Sequence, residues 1–72
     1  MTNIGERVKH VRKLHKLNQQ EFSKAINISQ GRLSETEKNI CKPSADTLIS
    51  LATGFNVNLN WLILGEGEHF KS

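Results

Sequence analysis

The run from Asn18 to Lys38, Asn-Gln-Gln-Glu-Phe-Ser-Lys-Ala-Ile-Asn-Ile-Ser-Gln-Gly-Arg-Leu-Ser-Glu-Thr-Glu-Lys, holds two helix starts in close succession. Asn18 is followed three positions later by Glu21, the spacing at which a cap side chain holds the N3 amide while the carboxylate reaches back. Phe22, Ala25 and Ile26 then form the apolar face of a helix over 19–26, and Asn27 tolerates the left-handed conformation that ends one. Ser29 is placed to cap a further helix from Gln30 to Lys38, with Leu33 turned inward. Only Asn27, Ile28 and Ser29 separate the two, so Ile28 plugs the angle between them.

The flanking sequence reads as three more helices. The first starts at the Asn3 cap, with Glu6 three residues on and Ile4, Val8 and Val11 at helical spacing, and spans 4–15. After a polar loop, Asn39 to Pro43, Ser44 caps a fourth helix whose inner stripe is Leu48, Leu51 and Ala52 and which Gly54 stops. Asn58 caps a short fifth helix, Leu59 to Leu64, stopped by Gly65. Residues 66–72 read as a frayed tail or the start of a linker, which leaves 1–65 as the domain. No stretch alternates apolar and polar residues over strand length. The expected fold class is all-α, a compact five-helix domain with a helix-turn-helix formed by helices 2 and 3.

Composition agrees. Seventy-two residues suffice for one core and not for two, and the 36 % apolar share can fill it. The one Cys, Cys41, excludes an internal disulfide and a Cys-based zinc cage, which points to a reducing compartment. No apolar run approaches membrane-spanning length and the N-terminus lacks a signal-peptide layout, so a cytoplasmic location is expected. Net charge is +3, and it is unevenly spread: residues 1–43 carry nine of the ten Lys and Arg against four acids, whereas 44–72 carry Lys71 against Asp46, Glu66 and Glu68. A basic front half suits a polyanion met at one end of the molecule.

Four segments carry a resemblance to a family. They are Val-Arg-Lys-Leu-His-Lys-Leu-Asn-Gln-Gln-Glu-Phe-Ser-Lys-Ala-Ile-Asn (11–27), Ile-Ser-Gln-Gly-Arg-Leu-Ser-Glu-Thr-Glu-Lys-Asn (28–39), Lys-Pro-Ser-Ala-Asp-Thr-Leu (42–48) and Asn-Val-Asn-Leu-Asn-Trp-Leu-Ile-Leu-Gly-Glu-Gly (56–67). In this order and at these spacings they resemble the lambda-repressor and Cro-like (xenobiotic-response-element type) helix-turn-helix domains of phage repressors and related bacterial regulators. The sequence departs from that pattern at Lys16, Asn27 and Asn39, where the family has Gly, and at Thr36, where it often has a large apolar residue.

The resemblance implies a transcriptional regulator, of repressor type, that binds a palindromic double-stranded operator as a dimer through the major groove. With Leu33 inward, Gln30, Gly31, Ser34 and Glu35 face out as base readers, and Gln can pair bidentately with adenine while Glu can accept from a cytosine amino group. Gln30 is the main reader, with Gln19 bridging between it and a phosphate. Asn18, Gln19, Arg32, Asn39, Lys42 and Ser44 are the expected backbone contacts, since phosphates need cations and free N–H groups. Lys9, Lys13 and Lys24 read as solvated surface. Arg12 and Glu37 lean inward with opposite charges and form a structural ion pair, as the family's residues at these positions do.

The fifth helix is apolar nearly all round, so one face cannot bury it all. Leu62 and Trp61 belong to the monomer core, leaving Leu59, Ile63 and Leu64 for a dimer interface, weak alone and strengthened on DNA. No catalytic, metal or cofactor site is expected: His10, His15 and His69 lack ligand spacing, no nucleophile pairs with a base, and neither a small-molecule substrate nor a membrane is implied. Cys41 beside Lys42 reads as an incidental loop thiol rather than a redox sensor. The alternative on the same scaffold is a protein-interaction module, an antitoxin or accessory subunit docking through the fifth helix. Salt separates the two, because phosphate binding weakens steeply with ionic strength and apolar docking does not.

Overall fold

Every helix start expected from a cap residue is found where that residue stands. The computed structural model describes residues 3–71 and shows α1 over Ile4–Leu14, α2 over Gln19–Ala25, α3 over Gln30–Glu37, α4 over Ala45–Gly54 and α5 over Leu59–Leu64. Asn3, Asn18, Ser29, Ser44 and Asn58 accept from the first-turn amides of the helices they open. At Asn18 the box is complete: its Oδ1 accepts from the Glu21 amide at 2.7 Å, and its own amide donates to Glu21 Oε1 at 3.0 Å. At Asn3 the carboxylate of Glu6 instead receives the Asn3 side-chain amide, at 3.0 Å.

The nine residues of the core come from every helix and from two connections, at Ile26 and Val57: Val8, Val11, Phe22, Ile26, Leu33, Leu51, Val57, Trp61 and Leu62. Ile4, Leu17, Ile28, Leu48, Phe55, Leu59 and Phe70 pack around it. α3 lies against both α1 and α2, and α1 also meets α5. This all-α, five-helix arrangement is the expected class, and among the described residues it includes one isolated antiparallel bridge, Val57 to Phe70.

Three local readings are corrected. Ala25 is exposed, and Ser23 takes the buried place beside Phe22 and Ile26; its Oγ donates to the Gln20 carbonyl at 2.9 Å, so the hydroxyl is satisfied inside the helix. Gly54 does not stop α4 but is its last residue, and the left-handed turn falls on Asn56 at φ 57°. The stretch after Gly65 is not a frayed tail. The His69 carbonyl accepts from Asn58 N at 2.9 Å, the Lys71 amide donates to the Asn56 carbonyl at 3.0 Å, and the side chains of Asn56 and Asn58 donate to the carbonyls of Lys71 and Glu68. The His69 ring lies 4.2 Å from that of Trp61, and the chain is tied back over α5 and α1.

Candidate nucleic-acid interface

An exposed helix can read a surface only if it is fixed from behind. α3 is fixed by three residues of its inner face: Leu33 at 0 % exposure, Thr36, and Glu37. Thr36 stands where the family often has a large apolar residue, and its hydroxyl donates to the Arg32 carbonyl one turn back at 2.9 Å. Glu37 is held by Arg12 through Nε at 2.7 Å and Nη2 at 3.1 Å, a two-pronged charge-assisted pair. The same guanidinium donates to the Leu17 carbonyl at 3.1 Å, which joins α1, the lead-in to α2 and α3 in one network. Such a pair specifies geometry more than it adds stability, because burial of both charges costs much of what their attraction returns.

With the inner face so held, Gln30, Gly31, Arg32 and Glu35 are exposed along the outer face of α3 and Ser34 is half-exposed. Asn39, Lys42 and Ser44 are exposed beyond its C-terminus, in the loop and cap that lead into α4. Arg32 and Lys42 are the cations among these residues. Two members of the expected clamp are otherwise engaged. The Gln19 side-chain nitrogen donates to Glu37 Oε1 at 3.1 Å, rather than to Gln30, so it joins the network behind α3. Asn18 spends its side-chain oxygen and its own amide on the Glu21 box.

α5 is divided differently from the sequence expectation. Trp61 and Leu62 are buried, but Leu59 is half-buried and packs on the core, which removes it from the outward set; Ile63 is 43 % and Leu64 62 % exposed. The residue that sequence reading missed is Arg7. It is 7 % exposed, and its guanidinium closes the C-terminus of α5 by donating to the Leu62 carbonyl at 2.6 Å and the Ile63 carbonyl at 3.0 Å. Its position one turn before Val11, on the buried side of α1, was the available signal. Gly5 was missed as well: a side chain there would strike the Thr36 carbonyl, with Glu37 O and Asn39 N at 3.1 Å.

Cys41 is half-buried, with its sulfur 3.5 Å from Thr36 Oγ1. Among the described residues no three His, Cys, Asp or Glu side chains gather as a metal site would need, and no helix is long and apolar enough to cross a membrane.

Known proteins share both sequence and shape with this chain. A family model described as a helix-turn-helix domain matches residues 5–68. The chain is 33 % identical over 69 residues to the HTH-type transcriptional regulator ImmR of Bacillus subtilis (strain 168), covering 96 % of this chain and 54 % of that protein. It is 32 % identical over 68 residues to the immunity repressor protein of Bacillus phage phi105, covering 94 % and 46 %. The chain thus spans about half the length of the curated relatives it matches. Among solved structures, the P22 c2 repressor protein in complex with a synthetic operator superposes with a TM-score of 0.82 at 24 % identity, over 92 % of this chain and 100 % of that one. A transcriptional regulator from Listeria innocua gives 0.78 at 21 %, over 97 % and 65 %. The structural likenesses bear on the fold; the sequence matches, laid over the capped helices and the three-residue turn at 27–29, place the chain in the helix-turn-helix domain family.

Proposed function

We propose that this domain binds double-stranded DNA and regulates transcription in the cytoplasm as a repressor, with α3 in the major groove of a palindromic operator shared by two copies. The observation that carries the reading is the contrast across α3. Its inner face is locked by Leu33, Thr36 and the Arg12–Glu37–Gln19 network, while its outer face presents Gln30, Gly31, Ser34 and Glu35 with no structural task. Gln30 stands at the first position of the helix, where a side chain reaches a base edge and where its amide matches the N6 and N7 pattern of adenine. Arg32, Asn39, Lys42 and the Ser44 end of α4 flank it as the contacts to backbone phosphate. Asn18 and Gln19 contribute to that clamp by giving up part of their present hydrogen bonding. The exposed Ile63 and Leu64 provide the surface for a second copy, which sets two reading helices about 34 Å apart along the duplex. The domain acts by occupancy and performs no chemistry.

Selection of bound sequences from a random duplex pool defines the operator, and two variants then separate reading from clamping. Gln30→Ala should lose discrimination against a scrambled duplex by about 1–3 kcal/mol while keeping its fold. Lys42→Ala should weaken binding to all sequences alike and reduce the slope of log K against log salt by about one unit. Binding to the selected and scrambled duplexes with equal affinity would overturn sequence-specific recognition.

A further inference from the structure

A cavity of about 390 Å³ lies between the start of α1, the loop after α3 and the end of α5, lined by Asn3, Ile4, Arg7, Asn39, Lys42 and Ile63. Two surfaces with different tasks in the proposed function meet in it. Asn39 and Lys42 belong to the phosphate clamp, and Ile63 belongs to the surface for a second copy. Arg7 forms the wall between them.

The chemistry of Arg7 is unusual for a residue so deeply placed. Its side chain is buried, yet its hydrogen bonds go to two neutral carbonyls, of Leu62 and Ile63, and the ion pair found among the described residues is that of Arg12 with Glu37. The groups seen to hold it among the described residues are thus the carbonyls at the negative end of α5, worth a fraction of a unit charge. The fit is close: Gly65, left-handed at φ 77°, leaves room where a side chain would come within 3.2 Å of Arg7 Nη1. A helix of six residues does not hold its own shape. The guanidinium of Arg7 thus helps to set the direction in which α5 presents Ile63 and Leu64, beside the burial of Trp61 and Leu62.

We propose that Arg7 is a positioning residue that couples occupancy of the phosphate clamp to pairing of two copies through α5. The inference rests on the reading that two copies share one operator. A phosphate held by Asn39 and Lys42 would share the cavity with a guanidinium whose hydrogen bonds go to neutral carbonyls. It favours the arrangement in which Arg7 grips the end of α5, and so the arrangement that suits pairing. Coupling of this kind is reciprocal: pairing that fixes Ile63 and α5 strengthens the clamp by the same factor.

The test uses a full palindrome, an isolated half-site and the variant Arg7→Lys, which keeps the charge but loses the two-pronged grip. Arg7→Lys should bind the half-site within about twofold of wild type, while the cooperative gain on the palindrome falls about tenfold. Lys42→Ala should reduce the cooperative gain of wild type, and should reduce it no further in the Arg7→Lys background. Unchanged cooperativity, additive effects, or a half-site loss as large as the palindrome loss would each overturn the coupling. A measurement on the unmodified protein stands beside these. The Gly65 amide, which donates to the Trp61 carbonyl at 2.7 Å, should exchange its hydrogen more slowly when a single half-site is bound, and exchange at the same rate would refute the proposal. If wild type occupies the palindrome without cooperativity, the two-copy reading itself falls, and that result needs no variant.

Discussion

Lys16, Asn27, Asn39 and Asn56 all have φ between 57° and 63°, so four turns are made by residues that carry a Cβ where Gly would be easier. Left-handed backbone costs an ordinary L-residue roughly 1–2 kcal/mol, and Asn less because its short amide can hydrogen-bond locally. Lys16 has no such relief. Its side chain is exposed, and its amide donates to the Lys13 carbonyl at 3.0 Å in a turn that glycine would make equally well. Lys16→Gly should therefore raise stability by roughly 0.5–1 kcal/mol after the greater unfolded-state freedom of Gly is subtracted, an upward shift of a few degrees in a thermal melt. A lower melting temperature would mean that Lys16 makes a contact beyond its backbone. Three of these turns were legible because the sequence flagged Lys16, Asn27 and Asn39 where the family pattern has Gly. The fourth was not, because Gly54 fits a helix and a left-handed turn alike. What places the turn at Asn56 is the demand of the next residue, Val57, for full burial.

Helices were legible because their caps are local, whereas what one helix needs from another was only partly so. Asn18 with Glu21, or Ser29 before Gln30, announces a start within four residues of sequence. The meeting of α1 with α3 depends on residues more than thirty positions apart. Gly5 is buried there against the main chain of Thr36, Glu37 and Asn39, and no pattern around residue 5 foretells that contact. Gly5→Ala should push the two helices apart and cost about 1–3 kcal/mol, despite the better helix propensity of Ala. Denaturant unfolding measures this, and a variant as stable as wild type would show that α1 can shift without cost. Arg12 and Glu37 were legible as a pair because each is a charge at an inward position. The part of Gln19 in their network was hidden, since a polar residue at a helix start satisfies many roles equally.

The proposed pairing of two copies rests on how the molecule as a whole distributes its apolar side chains. α5 has more than one face can bury, and the sequence made that plain; which of them turn outward was settled by the fold, which draws Leu59 to the core and leaves Ile63 and Leu64 exposed. Residues 68–71 escaped sequence reading for a related reason: their hold on α5 and α1 comes from main-chain bonds to residues 56 and 58 and from ring contacts that no periodicity announces. Leu64→Lys tests the outward surface. A cation suits the C-terminal end of a helix, so the monomer should melt within about 0.5 kcal/mol of wild type, yet two such charges would face each other across the proposed two-fold contact. Half-site affinity should hold or rise slightly, and cooperative filling of the palindrome should vanish. Retained cooperativity would move the interface elsewhere.

Among the outward positions of α3, Gly31 is the one without a side chain. A Cβ built there meets nothing within 4 Å, and its backbone is ordinary helix. Glycine in a helix interior costs roughly 0.5–1 kcal/mol relative to alanine, and less in the first turn where Gly31 stands, so replacement by alanine would modestly strengthen the helix while adding a new group to its outward face. If α3 reads DNA as proposed, the protein carries a vacant letter in its recognition alphabet, at a point where a change of preferred DNA sequence and a gain in stability require the same single substitution. On that reading, a lineage could switch operators through this position without first becoming less stable.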